Sequence, residues 1–260
     1  MACNLYVGWA TIFSMNLTMK LTKLLRVLWP VLLCAVVWQL LQFAPADQWW
    51  WLQKAMGPLT TMMIFLAAWR YSDRRQPTTW LLLVALVLFA VADSLVAFLP
   101  LSHLIVGLGV SLLAYLVLCV INLWRLIFAL AKGAARHINW GLLLAAFMGN
   151  AIMVYSTLYN VLPRVGSPLL AGAIKVYAAV LMILMTSGTA AALTDYRLRW
   201  SVGSCNGTIL AASESALALQ LFGKASEAWI IYSIMPLYWC GLVSYVAASR
   251  PKKERLTSRV

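Results

Sequence analysis

Apolar runs of about twenty residues recur along this 260-residue chain, about eight in all. A helix rising 1.5 Å per residue needs roughly that length to cross a hydrocarbon layer ~30 Å thick. Helices satisfy their own backbone polar groups, so they are the form in which such runs cross lipid. The runs fall at about 24–43, 50–69, 79–99, 104–128, 138–162, 169–194, 202–222 and 228–249. Composition agrees, with 63% hydrophobic and only 10% charged residues, where a soluble domain carries about a quarter charged. The expectation is an all-α, polytopic membrane protein: a bundle of about eight transmembrane helices over 24–249. An N-terminal cytoplasmic segment, 1–23, precedes it, a basic cytoplasmic tail, 250–260, follows it, and no length is left for a soluble domain. Short connections predict that successive helices are antiparallel neighbours.

The net charge of +13 does not form one patch, so no nucleic-acid partner is expected. Its bias is instead that of a multi-pass protein. The N-terminal segment, the 2–3, 4–5 and 6–7 loops and the tail, with the span ends that adjoin them, hold all but four of the 20 Lys and Arg. Arg164 and Lys224 lie on the other side, and Lys54 and Lys175 lie within spans. The positive-inside rule then puts both termini in the cytoplasm, which fits an even number of spans, and points to a bacterial inner membrane. Residues 1–18 carry no charge, the reverse of a secretory signal with its basic start, and Trp49, Trp50 and Trp51 read as an interfacial aromatic belt. The five cysteines have no paired spacing, so buried free thiols are expected.

One carboxylate stands out. Asp93 sits two-thirds of the way along the third run, where an ionised group costs roughly 2.5–3.5 kcal/mol on insertion scales. By its distance from the run's end it lies roughly 9–10 Å below the outer boundary. Glu214, in LAASESALALQLF, sits near the midplane or slightly outward. Lys54 and Lys175 enter the outer half from two further helices. Intramembrane ionisable groups usually face the bundle interior and pair, which favours a shared polar pocket, with snorkelling of either lysine to the interface as the alternative. Ser94, Ser213 and Ser215 flank the acids, and Tyr115, Asn150, Tyr155 and Tyr177 are further candidates, each also open to a plain helix-packing role. His103 and His137 fall in opposite loops, there is no GxSxG, HExxH or P-loop, and no metal or cofactor is expected. The glycines of GLGVSLLAY and GLLLAAFMG read as close helix contacts.

The ordered set PLT (58–60), Ala92-Asp93, Pro100, IKVYAAVLMILM (174–185), GTILAASES (207–215) and LYWCGL (237–242) resembles the YhhN-like lysoplasmalogenase family of eight-helix membrane proteins. The resemblance covers about residues 24–249. It implies hydrolysis of the vinyl ether bond of a lysoplasmalogen or related lysolipid, releasing a fatty aldehyde and a glycerophospho-base. It also implies that Asp93 and Glu214 take the family's two acidic positions. The chain departs from the pattern at Gly57, where the family tends to have Lys (Lys54 lies one turn earlier). It departs also at Ala92 for Gly, Tyr115 for His, Glu214 for Asp and Leu242 for Gln.

Vinyl ether hydrolysis needs a proton delivered to carbon and water to capture the oxocarbenium ion that results. Desolvation favours the neutral form of a buried carboxyl, so either Asp93 or Glu214 is a candidate general acid. The other, kept ionised by Lys54 or Lys175, would stabilise the cation and orient water, while a lysine could instead hold the lipid phosphate. The expected partners are a lysophospholipid substrate and membrane lipid. A non-catalytic homologue, or a lipid or small-molecule transporter using the same pocket, is the alternative, although no internal repeat of the kind transporters carry is visible.

Overall fold

A computed structural model of the chain describes residues 22, 24–43, 46–100, 104–131, 139–194, 206–222 and 228–249. Those residues form helices and no strand: α1 Leu24–Leu41, α2 Ala46–Tyr71, α3 Pro77–Phe98, α4 Leu104–Ala131, α5 Trp140–Val161, α6 Pro168–Thr194, α7 Asn206–Phe222 and α8 Ala228–Ala248. Each lies where an apolar run predicts it. Five of them, α1, α3, α4, α5 and α6, are long and apolar enough to cross a membrane, and α7 is apolar but shorter. The chain is a helical, multi-pass integral membrane protein. The segments 1–21 and 250–260, both histidines, Cys3 and Cys205, Lys224 and the basic residues of the 4–5 and 6–7 loops lie outside the described residues.

Six helices make a ring. α2 packs on α3, α3 on α4, α4 on α6, α6 on α7, α7 on α8, and α8 returns to α2. α1 lies outside against α2 and α8, through Trp38 set edge-on to Trp239 and the Gln53 amide donating to the Leu41 carbonyl. α5 lies outside against α6 and α7. The expectation of sequential neighbours therefore fails once. α4 and α5 are joined in sequence, yet α4 turns its buried stripe of Tyr115, Leu118, Cys119 and Asn122 onto α6. That stripe donates to α6 backbone carbonyls, Cys119 to Val180 and Asn122 to Leu184.

The ring helices face inward by plain 3.6-residue periodicity. On α3 the buried line Leu82, Leu86, Phe89 continues directly to Asp93. On α8 the line is Ile234, Tyr238, Leu242, Tyr245, and it continues to Ser249 just past the helix. Two glycines let backbones approach closely: a Cβ on Gly207 would stand 2.8 Å from the Leu184 carbonyl oxygen, and one on Gly241 2.5 Å from the Leu210 side chain. The glycines singled out above behave differently. Gly107 does pack, against Val96, but Gly109 and Gly149 face open space and Gly141 meets only its own cap, Asn139. Of the cysteines, Cys119 is buried, Cys34 half-buried and Cys240 exposed, and all three are free thiols. The expected burial thus fails for Cys240, on a face of α8 turned out of the ring.

Replacing Gly207 with Val should cost about 1–3 kcal/mol, because the added methyls meet α6 backbone that cannot move aside. Gly149→Val should leave stability unchanged. Thermal unfolding of both variants in detergent checks the pair.

Candidate functional site

Asp93 of α3 and Glu214 of α7 both turn into the ring, and each of the other four ring helices sends one side chain to them. From α2, the Thr61 hydroxyl donates to Asp93 Oδ2 at 2.6 Å. From α8, the Tyr238 hydroxyl reaches both Asp93 oxygens, at 3.2 and 3.3 Å. From α4, the Tyr115 hydroxyl donates to Glu214 Oε1 at 2.5 Å, and from α6 the Tyr177 hydroxyl lies toward the same carboxyl. The carboxyls are near enough to act on each other electrostatically. Phe89 stands between the two halves, its ring edge-on to Tyr115 at 4.8 Å and to Tyr238 at 5.8 Å. Tyr115 and Tyr177 are themselves perpendicular, centroids 5.6 Å apart.

The lysines are elsewhere. Lys54 is exposed with its ammonium 5.5 Å from the Trp50 ring, and Lys175 is exposed on α6. Among the described residues no lysine or arginine acts on either carboxyl. The expectation of an acid–base cluster gives way to acids held by hydroxyls, for a reason of depth. Thr61 lies two turns, ~10 Å, further into the bundle than Lys54, and both lysine stems are long enough to keep the charge at the interface.

The remaining predicted residues divide. Tyr115 and Tyr177 belong to the network. Ser213 is buried but donates across to the Ile234 carbonyl, tying α7 to α8. Ser94 bonds its own helix at Ala90. Asn150 is buried on α5, where Thr208 donates to its Oδ1 at 3.4 Å, apart from the carboxyls; its Nδ2 has no partner among the described residues. Tyr155 is 70% exposed, stacked on Tyr159. Sequence reading missed Thr61, Phe89 and Tyr238. Two of them adjoin or lie within the segments PLT and LYWCGL, and a count of polar residues on each helix's apolar face at the depth of Asp93 would have found them. A second interior rung was missed as well: Asn122 Nδ2 donates to the Tyr245 hydroxyl at 3.0 Å and to the Leu184 carbonyl at 3.4 Å.

Beside Glu214 lies a cavity of about 290 Å³ between α4, α5, α6 and α7. It runs along α7 from Glu214 to Phe222, ~12 Å at the helical rise. Its walls are apolar except for Thr157, Tyr177, Glu214 and Ser215. Asp93 is not on its wall. The arrangement offers one carboxyl, backed by two tyrosines, to an apolar chain, and a second carboxyl held behind it.

No protein-family profile, curated protein or solved structure matches the chain.

Tyr115→Phe removes the donor 2.5 Å from Glu214 and should cost about 1–3 kcal/mol, the usual loss when a buried polar group is left unsatisfied. Tyr155→Phe, on the exposed face of α5, should be neutral. Urea or thermal unfolding in the same detergent compares them.

Proposed function

We propose that the protein is a membrane-embedded hydrolase of the lysoplasmalogenase type, resembling the YhhN-like family. In this reading all eight helices cross the inner membrane of a bacterium, both termini are cytoplasmic, and the site opens in the extracytoplasmic half. The observation that carries the reading is the pair of carboxyls inside the ring, each held by its own hydroxyl donors, one of them at the end of an apolar cavity. Paired carboxyls in differing environments suit general acid and base work.

The lipid's chain occupies the cavity and brings its vinyl ether to Glu214. A protonated Glu214 gives its proton to the vinyl carbon remote from the ether oxygen, and the double bond's electron pair forms the new C–H bond. Positive charge then develops on the ether carbon and oxygen. Glu214, now anionic and held by Tyr115 and Tyr177, faces that charge across a low-dielectric site, where electrostatic stabilisation is strong. Water adds to the oxocarbenium carbon and gives its proton to the Glu214 carboxylate, which restores the starting acid. The hemiacetal so formed collapses to a fatty aldehyde and the free glycerol hydroxyl. Asp93, fixed by Thr61 and Tyr238, contributes the second negative charge behind Glu214. That Asp93 does not reach the cavity wall favours a second reading, in which the protein binds or carries lysolipid without cleaving it.

Purified protein given lysoplasmenylethanolamine is expected to release aldehyde, and Glu214→Gln to slow it by about 10²–10⁴, the usual worth of a positioned proton donor. Asp93→Asn is expected to lower the rate with less effect on lysolipid binding. Binding by inert wild-type protein would select the second reading. Fusions of a reporter active only in the cytoplasm should signal from the C-terminus and not from the loop between α5 and α6.

A further inference from the structure

Glu214 and Asp93 carry the only acidic groups of the network, four aromatic rings surround them, and no base balances them among the described residues. Of the two, only Glu214 opens on the cavity, and Tyr177 stands beside it on the same wall. The rest of that wall is hydrocarbon apart from Thr157 and Ser215, in a volume at the low end for small-molecule pockets. A carboxylate in low dielectric is most stable beside a positive charge, and a tyrosine face adds to the attraction for an ammonium. Among the described residues, Lys54 and Lys175 do not supply that charge, since both stay at the exposed surface. A ligand can.

We infer that the cavity is a binding site for cationic single-chain amphiphiles, with an ammonium head between Glu214 and the Tyr177 ring and an alkyl chain along the walls of α4, α5 and α7. The inference rests on the reading above only in taking Glu214 as the group that meets the lipid. It adds that the site selects for positive charge. In the hydrolytic reading the same preference makes alkylammonium ions mimics of the oxocarbenium ion and therefore competitive inhibitors.

The test uses the full chain in nanodiscs of zwitterionic phosphatidylcholine, titrated below micelle formation with decylammonium, decyltrimethylammonium, decanol and decanoate, with empty nanodiscs subtracted. Tryptophan fluorescence and the unfolding temperature report saturable binding. Both ammonium probes are expected to bind at least about tenfold more tightly than decanol, a difference of about 1.4 kcal/mol, and decanoate more weakly still. Glu214→Gln should abolish the preference for the cations while leaving decanol binding in place. Gly109→Trp, placing a ring where the glycine meets open space on the cavity wall, should abolish binding of all four probes, and it serves alone if Glu214→Gln does not fold. Equal affinity for decanol and the ammonium probes, or cation binding unchanged in Gly109→Trp, would overturn the inference. Aldehyde release without cation preference removes this inference and leaves the hydrolase. Cation preference without aldehyde release does the reverse.

Discussion

Two carboxyl groups inside a hydrocarbon-facing bundle must have hydrogen-bond donors, and meeting that demand organises the ring. Thr61, Tyr115, Tyr177 and Tyr238 come from four helices, and each must hold its rotation for its hydroxyl to reach an acid. A helix turned by one residue, about 100°, would point its donor at lipid. The carboxyls thus fix the rotational setting of α2, α4, α6 and α8 around α3 and α7. Apolar contact alone does this poorly in a membrane, where lipid tails compete on equal terms with leucine. Asn122 with Tyr245, and Ser72 with Ser249 at the far end of α2 and α8, repeat the device at other depths.

The cavity has a packing origin. At the N-terminus of α7, Gly207 brings its backbone hard against Leu184 and Met185 of α6, and Gly188 lies against Asn122 of α4. Those contacts pin α4, α6 and α7 together at one end. Toward the other end, beyond Tyr177 and Glu214, mostly small or aliphatic side chains such as Gly109, Ala173 and Ala218 line the gap.

The fold was largely legible in the chain. Apolar run length located every helix to within a few residues, because the thickness of the hydrocarbon layer dictates it directly. Asp93 and Glu214 were legible too, since an acid in such a run has few stable places other than the interior. The lysines misled. Lys54 and Lys175 look like counter-ions on a depth scale, but a flexible four-carbon stem decouples the position of the charge from that of the backbone. Order along the chain misled as well: α4 and α5 are joined and do not pack, since side-chain complementarity with α6 outweighs a short loop.

Composition, periodicity and charge bias by themselves determined that this is a helical membrane protein, where its helices lie, and that two acids enter its interior. Those properties follow from each segment's own exchange between water and lipid, which needs no knowledge of its neighbours. Tertiary structure alone decided that the acids are met by hydroxyls instead of ammonium groups, that Phe89 stands between Tyr115 and Tyr238, and that Glu214 and not Asp93 opens on a cavity. Each of these depends on the relative rotation of helices distant in sequence, a quantity set by contacts between them and written in none of them singly.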